Sequence, residues 1–265
     1  MVQLPEGFVP DLIAIDLDDT LLPHLGSISE RVIESIARVR EAGITVVPST
    51  GRTVSTTAPV ARAAEIDGWM VCSNGAIIAT VEPETIVDAH AFDPTEVINA
   101  LCELVPDAVY AVEDVSGVFH TTQMFEAGPL GLSIREVPFD HLLADPVVRV
   151  VVRSEKHARQ GFREVAEALG YHSVIFGIAD VAWMDIGPKG VNKATGLAKV
   201  CTRLDINQAK TLAIGDSYND IEMFKWAGYS VAMGSAPDKI KAIADAVTSP
   251  VPGDGVADVL DAITL

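Results

Sequence analysis

Cysteine is scarce. The 265 residues hold three, Cys72, Cys102 and Cys201, widely spaced and odd in number. They cannot pair completely and match no metal-binding spacing, so neither a disulfide framework nor a thiolate metal site organises the chain. Buried free thiols in a reducing compartment are the expectation. Basic residues are also few, 19 against 37 acidic ones, for a net charge of −18. A nucleic-acid backbone is held by clustered Lys and Arg, so nucleic acid is excluded as a partner. An anionic membrane surface is disfavoured on the same ground. No apolar run reaches the ~20 residues that span a bilayer. The stretch Met1 to Pro10 has no basic flank before an apolar segment. No secretory signal is therefore expected, and the expected compartment is cytoplasmic. Internal repeats, low-complexity tracts and long linkers are missing as well.

What is present is an ordinary globular composition, 49% hydrophobic and 21% charged, with chain enough for one large domain or two moderate ones. The first third alternates compact apolar runs with amphipathic stretches. Leu12-Ile13-Ala14-Ile15 ends at Asp16 and reads as a buried parallel strand. Ile28, Val32, Ile36 and Val39 recur at helical spacing, and Gly43 stops that helix. Ile44 to Val47 predicts a second strand, followed by the loop Pro48 to Arg52 and a helix to about Glu65; Trp69 to Cys72 predicts a third strand. The last third repeats the pattern with a strand from Thr211 to Gly215, a helix through Phe224 and a strand from Tyr229 to Ala232. This alternation implies a parallel sheet with helices on both faces, whose ligand crevice lies beyond the strands' carboxyl ends. Asp16, Thr50 and Asp216 all fall at such ends. The middle third differs. Helices Pro94 to Leu104 and Glu155 to Leu169 alternate with β-rich runs Val109 to Val112, Val118 to Thr122, Val147 to Val152 and Val181 to Asp185. It reads as an inserted α+β domain.

Four segments carry chemistry. In Asp16-Leu17-Asp18-Asp19-Thr20, two carboxylates separated by one residue emerge at the end of a strand. Asp16 suits a nucleophile toward phosphorus, and Asp18 suits a proton donor on condition that burial and its anionic neighbours raise its pKa. Alone, the pair reads equally as a solvated acidic turn or a metal-ligating one. In Ser49-Thr50-Gly51-Arg52, a hydroxyl and a backbone N–H beside Gly can meet a phosphoryl oxygen. Arg52 reads as a charge on the surface at a helix start, or as a substrate contact. In Gly190-Val191-Asn192-Lys193, a Lys at a helix start can hold a phosphate. In Gly215-Asp216-Ser217-Tyr218-Asn219-Asp220, carboxylates four residues apart suit a hard cation.

Together and in this order, the segments resemble those of the haloacid dehalogenase-like (HAD) hydrolase superfamily. The insertion between the second and third segments, with Ser73-Asn74-Gly75-Ala76 and Asp254-Gly255-Val256-Ala257, is similar to the Cof-like IIB phosphatases. The resemblance implies a Rossmann-like α/β core, 1–84 and 186–265, and a type-two α+β cap, 85–185. It implies Asp16 as nucleophile and Asp18 as acid and base. Thr50, Gly51 and Lys193 would bind phosphate. Asp16, Asp216 and the main-chain carbonyl of Asp18 would ligate Mg²⁺, with Asn219 and Asp220 in support. Asp19 departs from the commoner Gly. The implied substrate is a small phosphorylated metabolite: a sugar phosphate, a phosphorylated cofactor or phosphoglycolate. Electrostatics points to the metal independently. Carboxylates ~4 Å apart repel by ~4 kcal/mol at an effective dielectric of ~20, and a phosphate dianion adds to that. A phosphomutase on the same scaffold, or a non-enzymatic aspartyl-phosphate signalling domain, is the alternative. A haloacid dehalogenase would need no acid at Asp18. In the cap, His120, Glu113 and Asp114 are candidate substrate contacts, and Arg135, Arg149 and Arg153 candidate anion contacts; solvated positions account for them equally.

Overall fold

The computed structural model describes residues 2–23, 26–124, 132–154, 172–178 and 181–265. The chain forms two compact units, Met1–Val87 with Asn192–Leu265, and Asp88–Val191. The crossings lie a few residues beyond the expected 84 and 185. Strand pairing explains the shift, since a strand at Thr85–Ala89 continues a sheet of the first unit and one at Val181–Gly187 belongs to the second.

In the first unit the chain opens with β1 (Leu12–Ile15), every residue buried, then α1 (Glu30–Glu41) and β2 (Thr45–Pro48). Helix α1 starts where Ser29 accepts the Val32 N–H at 3.2 Å, and it buries Val32, Ser35, Ile36 and Val39. Then follow α2 (Val54–Ala63), β3 (Trp69–Cys72), β4 (Ile77–Thr80) and β5 (Thr85–Ala89).

The second unit supplies α3 (Thr95–Leu104), β6 (Val109–Glu113), β7 (Phe119–Thr121), β8 (Ile134–Glu136), β9 (Arg149–Ser154), β10 (His172–Ile178) and β11 (Val181–Gly187). These strands form one sheet, ordered β10-β11-β9-β6-β7-β8, antiparallel except for β7 beside β8. Period-two alternation sorts its residues. Tyr110, Val112, Val150, Val152, Met184 and Ile186 pack with Val97, Ile98 and Leu101 of α3, while Ala111, Phe119 and Val151 form a separate cluster. The helix expected at Glu155 to Leu169 lies outside the described residues.

The chain returns to the first unit with α4 (Lys193–Leu204), β12 (Thr211–Gly215), α5 (Ile221–Trp226), β13 (Tyr229–Ala232), α6 (Asp238–Lys241), β14 (Ala246–Val247) and α7 (Gly255–Asp261). The main sheet runs β14-β13-β12-β1-β2, all parallel. A bridge from Ser49 to Val71 places β3 beside β2, and β3-β4-β5 add a small second sheet, with β4 antiparallel to β3. Leu12, Ala14, Val47, Ala213 and Ala232 from the strands pack with Leu197, Val200 and Phe224 from the helices. Burial of this kind contributes about 1.5–3 kcal/mol per large side chain, so the strand ends rest on a rigid base. Among the described residues no helix is long and apolar enough to cross a membrane.

Candidate active site

Strands β1 and β12 pair in register, Ile15 opposite Ile214, and the Asp16 N–H extends the ladder to the Ile214 carbonyl at 2.9 Å. Asp16 therefore leaves the sheet directly beside Asp216, which follows Gly215 at the end of β12. Carboxylate oxygens of Asp16, Asp216 and Asp220 lie within 4.8 Å of one another. A cation fills part of this cluster: Lys193 Nζ donates to Asp16 Oδ1 and to Asp220 Oδ1, each at 2.6 Å. Lys193 is the first residue of α4 and its side chain is 0% exposed. Its position is set by Asn192, which accepts the Thr195 N–H at 3.1 Å, while Thr195 Oγ1 accepts the Asn192 N–H at 3.0 Å.

The three carboxylates have different surroundings. Both oxygens of Asp220 are engaged: Oδ1 takes Lys193, and Oδ2 takes the N–H groups of Asp216 at 3.0 Å and Ser217 at 2.9 Å. Asp220 is thus a fastener of its own loop. Asp216 accepts Thr20 Oγ1 at 3.1 Å through Oδ1, and Asp16 accepts Lys193 through Oδ1. Among the described residues the second oxygen of each is uncommitted. Burial pushes the Asp16 carboxyl well above the ordinary carboxylate range, against the pull of Lys193 and with that of Asp220 and Asp216. Burial and the Asp220 charge raise Asp216 to about 6. Burial alone would favour neutral Lys193, but Asp16 and Asp220 outweigh it and push the ammonium up. The cluster is short of positive charge. An all-oxygen donor set at the end of a parallel sheet fits a hard divalent cation such as Mg²⁺.

Asp18 departs from expectation. Its side chain is 42% exposed rather than buried, and it meets Arg52 two-handed: Nε to Oδ2 at 2.9 Å, and Nη2 to Oδ1. Arg52 is correspondingly no surface charge, since its side chain is only 12% exposed. Asp19 has φ +57°, in the left-handed region that favours Gly and that Asp tolerates among the other residues. Its charge is one of the smaller contributions raising Asp216.

Thr50 is buried at the end of β2, its N–H donating to the Val71 carbonyl at 2.9 Å and its Oγ1 accepting the Arg52 N–H at 3.1 Å. A Cβ on the neighbouring Gly51 would stand 3.2 Å from Asn74 Oδ1, which is tight. Asn219 Nδ2 donates to the same Asn74 oxygen at 3.0 Å. All eight expected positions, Asp16, Asp18, Thr50, Gly51, Lys193, Asp216, Asn219 and Asp220, lie in the first unit. Thr20, Arg52 and Asn74 join them; of the three, the sequence offers a site role only for Arg52, as one of two readings.

Within the second unit, Arg149 is buried and held by Glu113 Oε2 (Nε, 2.8 Å) and Asp185 Oδ2 (Nη1, 2.6 Å), over the Phe119 ring at 5.2 Å. It is neither solvated nor offered to a second anion. His120 Nε2 is 2.9 Å from Asp114 Oδ2. Arg135 is exposed on β8.

A sequence profile of haloacid dehalogenase-like hydrolases matches residues 13–260. The chain is 27% identical over 263 residues to the 5-amino-6-(5-phospho-D-ribitylamino)uracil phosphatase YitU of Bacillus subtilis, covering 94% of this chain and 95% of that one. It is 29% identical over 272 residues to the pyridoxal phosphate phosphatase YbhA of Escherichia coli, covering 93% and 96%. In structure it is similar to a haloacid dehalogenase-like hydrolase from B. subtilis, with TM-score 0.80, 24% identity and coverage of 95% and 99%.

Proposed function

The chain belongs to the haloacid dehalogenase-like hydrolases, and from that premise we propose that it hydrolyses small phosphate monoesters through an aspartyl-phosphate on Asp16. The observation that carries this reading is the buried Lys193 bridging Asp16 and Asp220 beside Asp216. A nucleophilic carboxylate held by an ammonium, at a strand end next to a second carboxylate, is a place where a phosphoryl dianion can be met once charge is balanced.

In the first step an Asp16 oxygen bonds to phosphorus as the bond to the leaving oxygen breaks, and Asp18 gives that oxygen its proton. In the second, Asp18 takes a proton from water, whose oxygen bonds to phosphorus as the Asp16–phosphorus bond breaks. Phosphate leaves and Asp16 is restored. Because Arg52 holds both oxygens of Asp18, the first step requires Asp18 to turn from Arg52 toward the leaving oxygen. Thr50, the Gly51 N–H and Lys193 bind the phosphoryl oxygens. Asp16, Asp216 and the Asp18 carbonyl would hold Mg²⁺, which when bound would supply neutralising charge for the transferring group.

The unit Asp88–Val191 takes the part of the type-two cap that selects the leaving group. Sugar phosphates and phosphorylated cofactors or their precursors are the favoured substrates. The B. subtilis and E. coli relatives, by name, act on a phosphoribityl compound and on pyridoxal phosphate. Arg149, its charge already answered by two carboxylates, is set aside as a contact to a second anionic group of the substrate, and phosphoglycolate stays among the candidate substrates. The test is phosphate release from a panel of metabolite phosphates with Mg²⁺ or with EDTA, for wild type, Asp16→Asn and Asp18→Asn. Release is expected from wild type with Mg²⁺ and is expected to fall at least ~10³-fold in Asp16→Asn. Undiminished release by Asp16→Asn would sink the covalent route.

A further inference from the structure

Between β3 and β4 the backbone does something costly. Ser73, Asn74 and Gly75 adopt φ of +49°, +54° and +96°, three left-handed residues in succession, and all three are buried. Two of them are not glycine, and such outliers persist only where surrounding structure over-determines them, commonly at functional sites. The surroundings are the loops of the proposed phosphatase site. The Ser73 N–H donates to the Arg52 carbonyl at 2.9 Å and the Asn74 N–H to the Thr50 carbonyl at 3.0 Å. Asn74 Oδ1 accepts Asn219 Nδ2 at 3.0 Å, across 145 residues of chain. Gly75 packs so closely on the residue capping α4 that a Cβ there would overlap the Asn192 carbonyl, next to Lys193. One three-residue turn thus touches the segments bearing Thr50, Lys193 and Asp220.

We propose that Asn74 is a positioning residue: its side-chain amide pins the Thr50 loop to the Asp216–Asp220 loop, fixing the phosphate-binding hydroxyl relative to the carboxylates. The inference rests on the phosphatase reading for its catalytic consequence, but the pin itself does not. A backbone role would be served by any residue tolerating the left-handed turn. The positioning role needs the amide oxygen, and it needs Asn219.

Asn74→Gly separates the two, since Gly keeps the turn and removes the side chain. With p-nitrophenyl phosphate and Mg²⁺, well below each variant's Tm, kcat should fall about 10- to 100-fold, the scale of a misplaced catalytic group. KM should move less than about threefold. Asn219→Ala should show a similar loss, and the double variant should lose no more than either alone. A kcat within about twofold of wild type in Asn74→Gly overturns the proposal, as does a double variant whose loss is the product of the two singles. Should Asn74→Gly fold poorly, Asn74→Asp, which keeps the acceptor and tolerates the turn, carries the test. It should retain clearly more activity than Asn219→Ala, and an equal loss overturns the pin. If wild type releases no phosphate the phosphatase reading fails, and urea unfolding of the same four proteins decides the pin alone. Non-additive losses support it and additive ones overturn it.

Discussion

Lys193 is the residue on which the site's electrostatics turns. A fully buried ammonium is tolerated because Asp16 and Asp220 each meet it at 2.6 Å; removing it would leave carboxylates close together with no countercharge. Lys193→Met should therefore cost about 3–5 kcal/mol at neutral pH in the absence of metal, measured by urea denaturation, and abolish phosphate release. Part of the lost stability should return near pH 5, where the raised carboxyls take up protons; equal destabilisation at both pH values would contradict the assignment. At this scale the sequence is informative where chemistry is local. Asp16, Lys193 and Asp216 stand at strand or helix ends in the linear pattern, and their expected roles come from the resemblance of the four segments taken together. The contact made by Arg52 is not legible in this way, because nothing in a linear pattern brings it onto Asp18, 34 residues earlier. Nor can the exposure of Asp18 be read from its neighbours. The chain turns at Asp19, with φ +57°, next to the partly exposed Asp18.

Elements set these residues by their ends, and α4 shows it best. Its capping box, Asn192 with Thr195, fixes the first turn and hence the root of Lys193. Asn192→Ala should lower stability by ~1 kcal/mol and reduce kcat along with it, as the Lys193 stem gains freedom. A differential-scanning and steady-state comparison would show both, and a stability loss without a kinetic one would detach the cap from catalysis. Buried apolar runs are the most legible elements: Leu12–Ile15, Trp69–Cys72, Thr211–Gly215 and Tyr229–Ala232 fold as strands at the predicted limits. The buried apolar strand β4 escapes prediction despite that signal, whereas β5, β8 and β14 escape for want of it. Strand β5 faces solvent along most of its length, β8 has three residues and β14 two, so none shows enough periodicity to register.

For the whole molecule the decisive quantity is charge. A chain at −18 overall concentrates Asp16, Asp216 and Asp220 within 4.8 Å against one lysine, so metal and protons compete for the same oxygens. The direction follows from linkage. The Asp16 and Asp216 carboxyls bind protons more tightly folded than unfolded, Asp216 titrating at about 6 against ~3.9 in an unfolded chain. Their contribution to stability is thus full below the unfolded value and is lost as pH rises through the folded one. Metal-free protein should lose stability at this cluster between about pH 4 and pH 6, remaining penalised above it. A divalent cation such as Mg²⁺ would bind the deprotonated form and should offset that penalty. The Tm increment from millimolar Mg²⁺, taken pairwise at each pH so that other carboxylates cancel, should be small at pH 5 and grow to a plateau above pH 7. Asp216→Asn, with the cluster's charge reduced, should flatten the curve. An increment independent of pH in the wild type would mean that the cation does not bind at these oxygens.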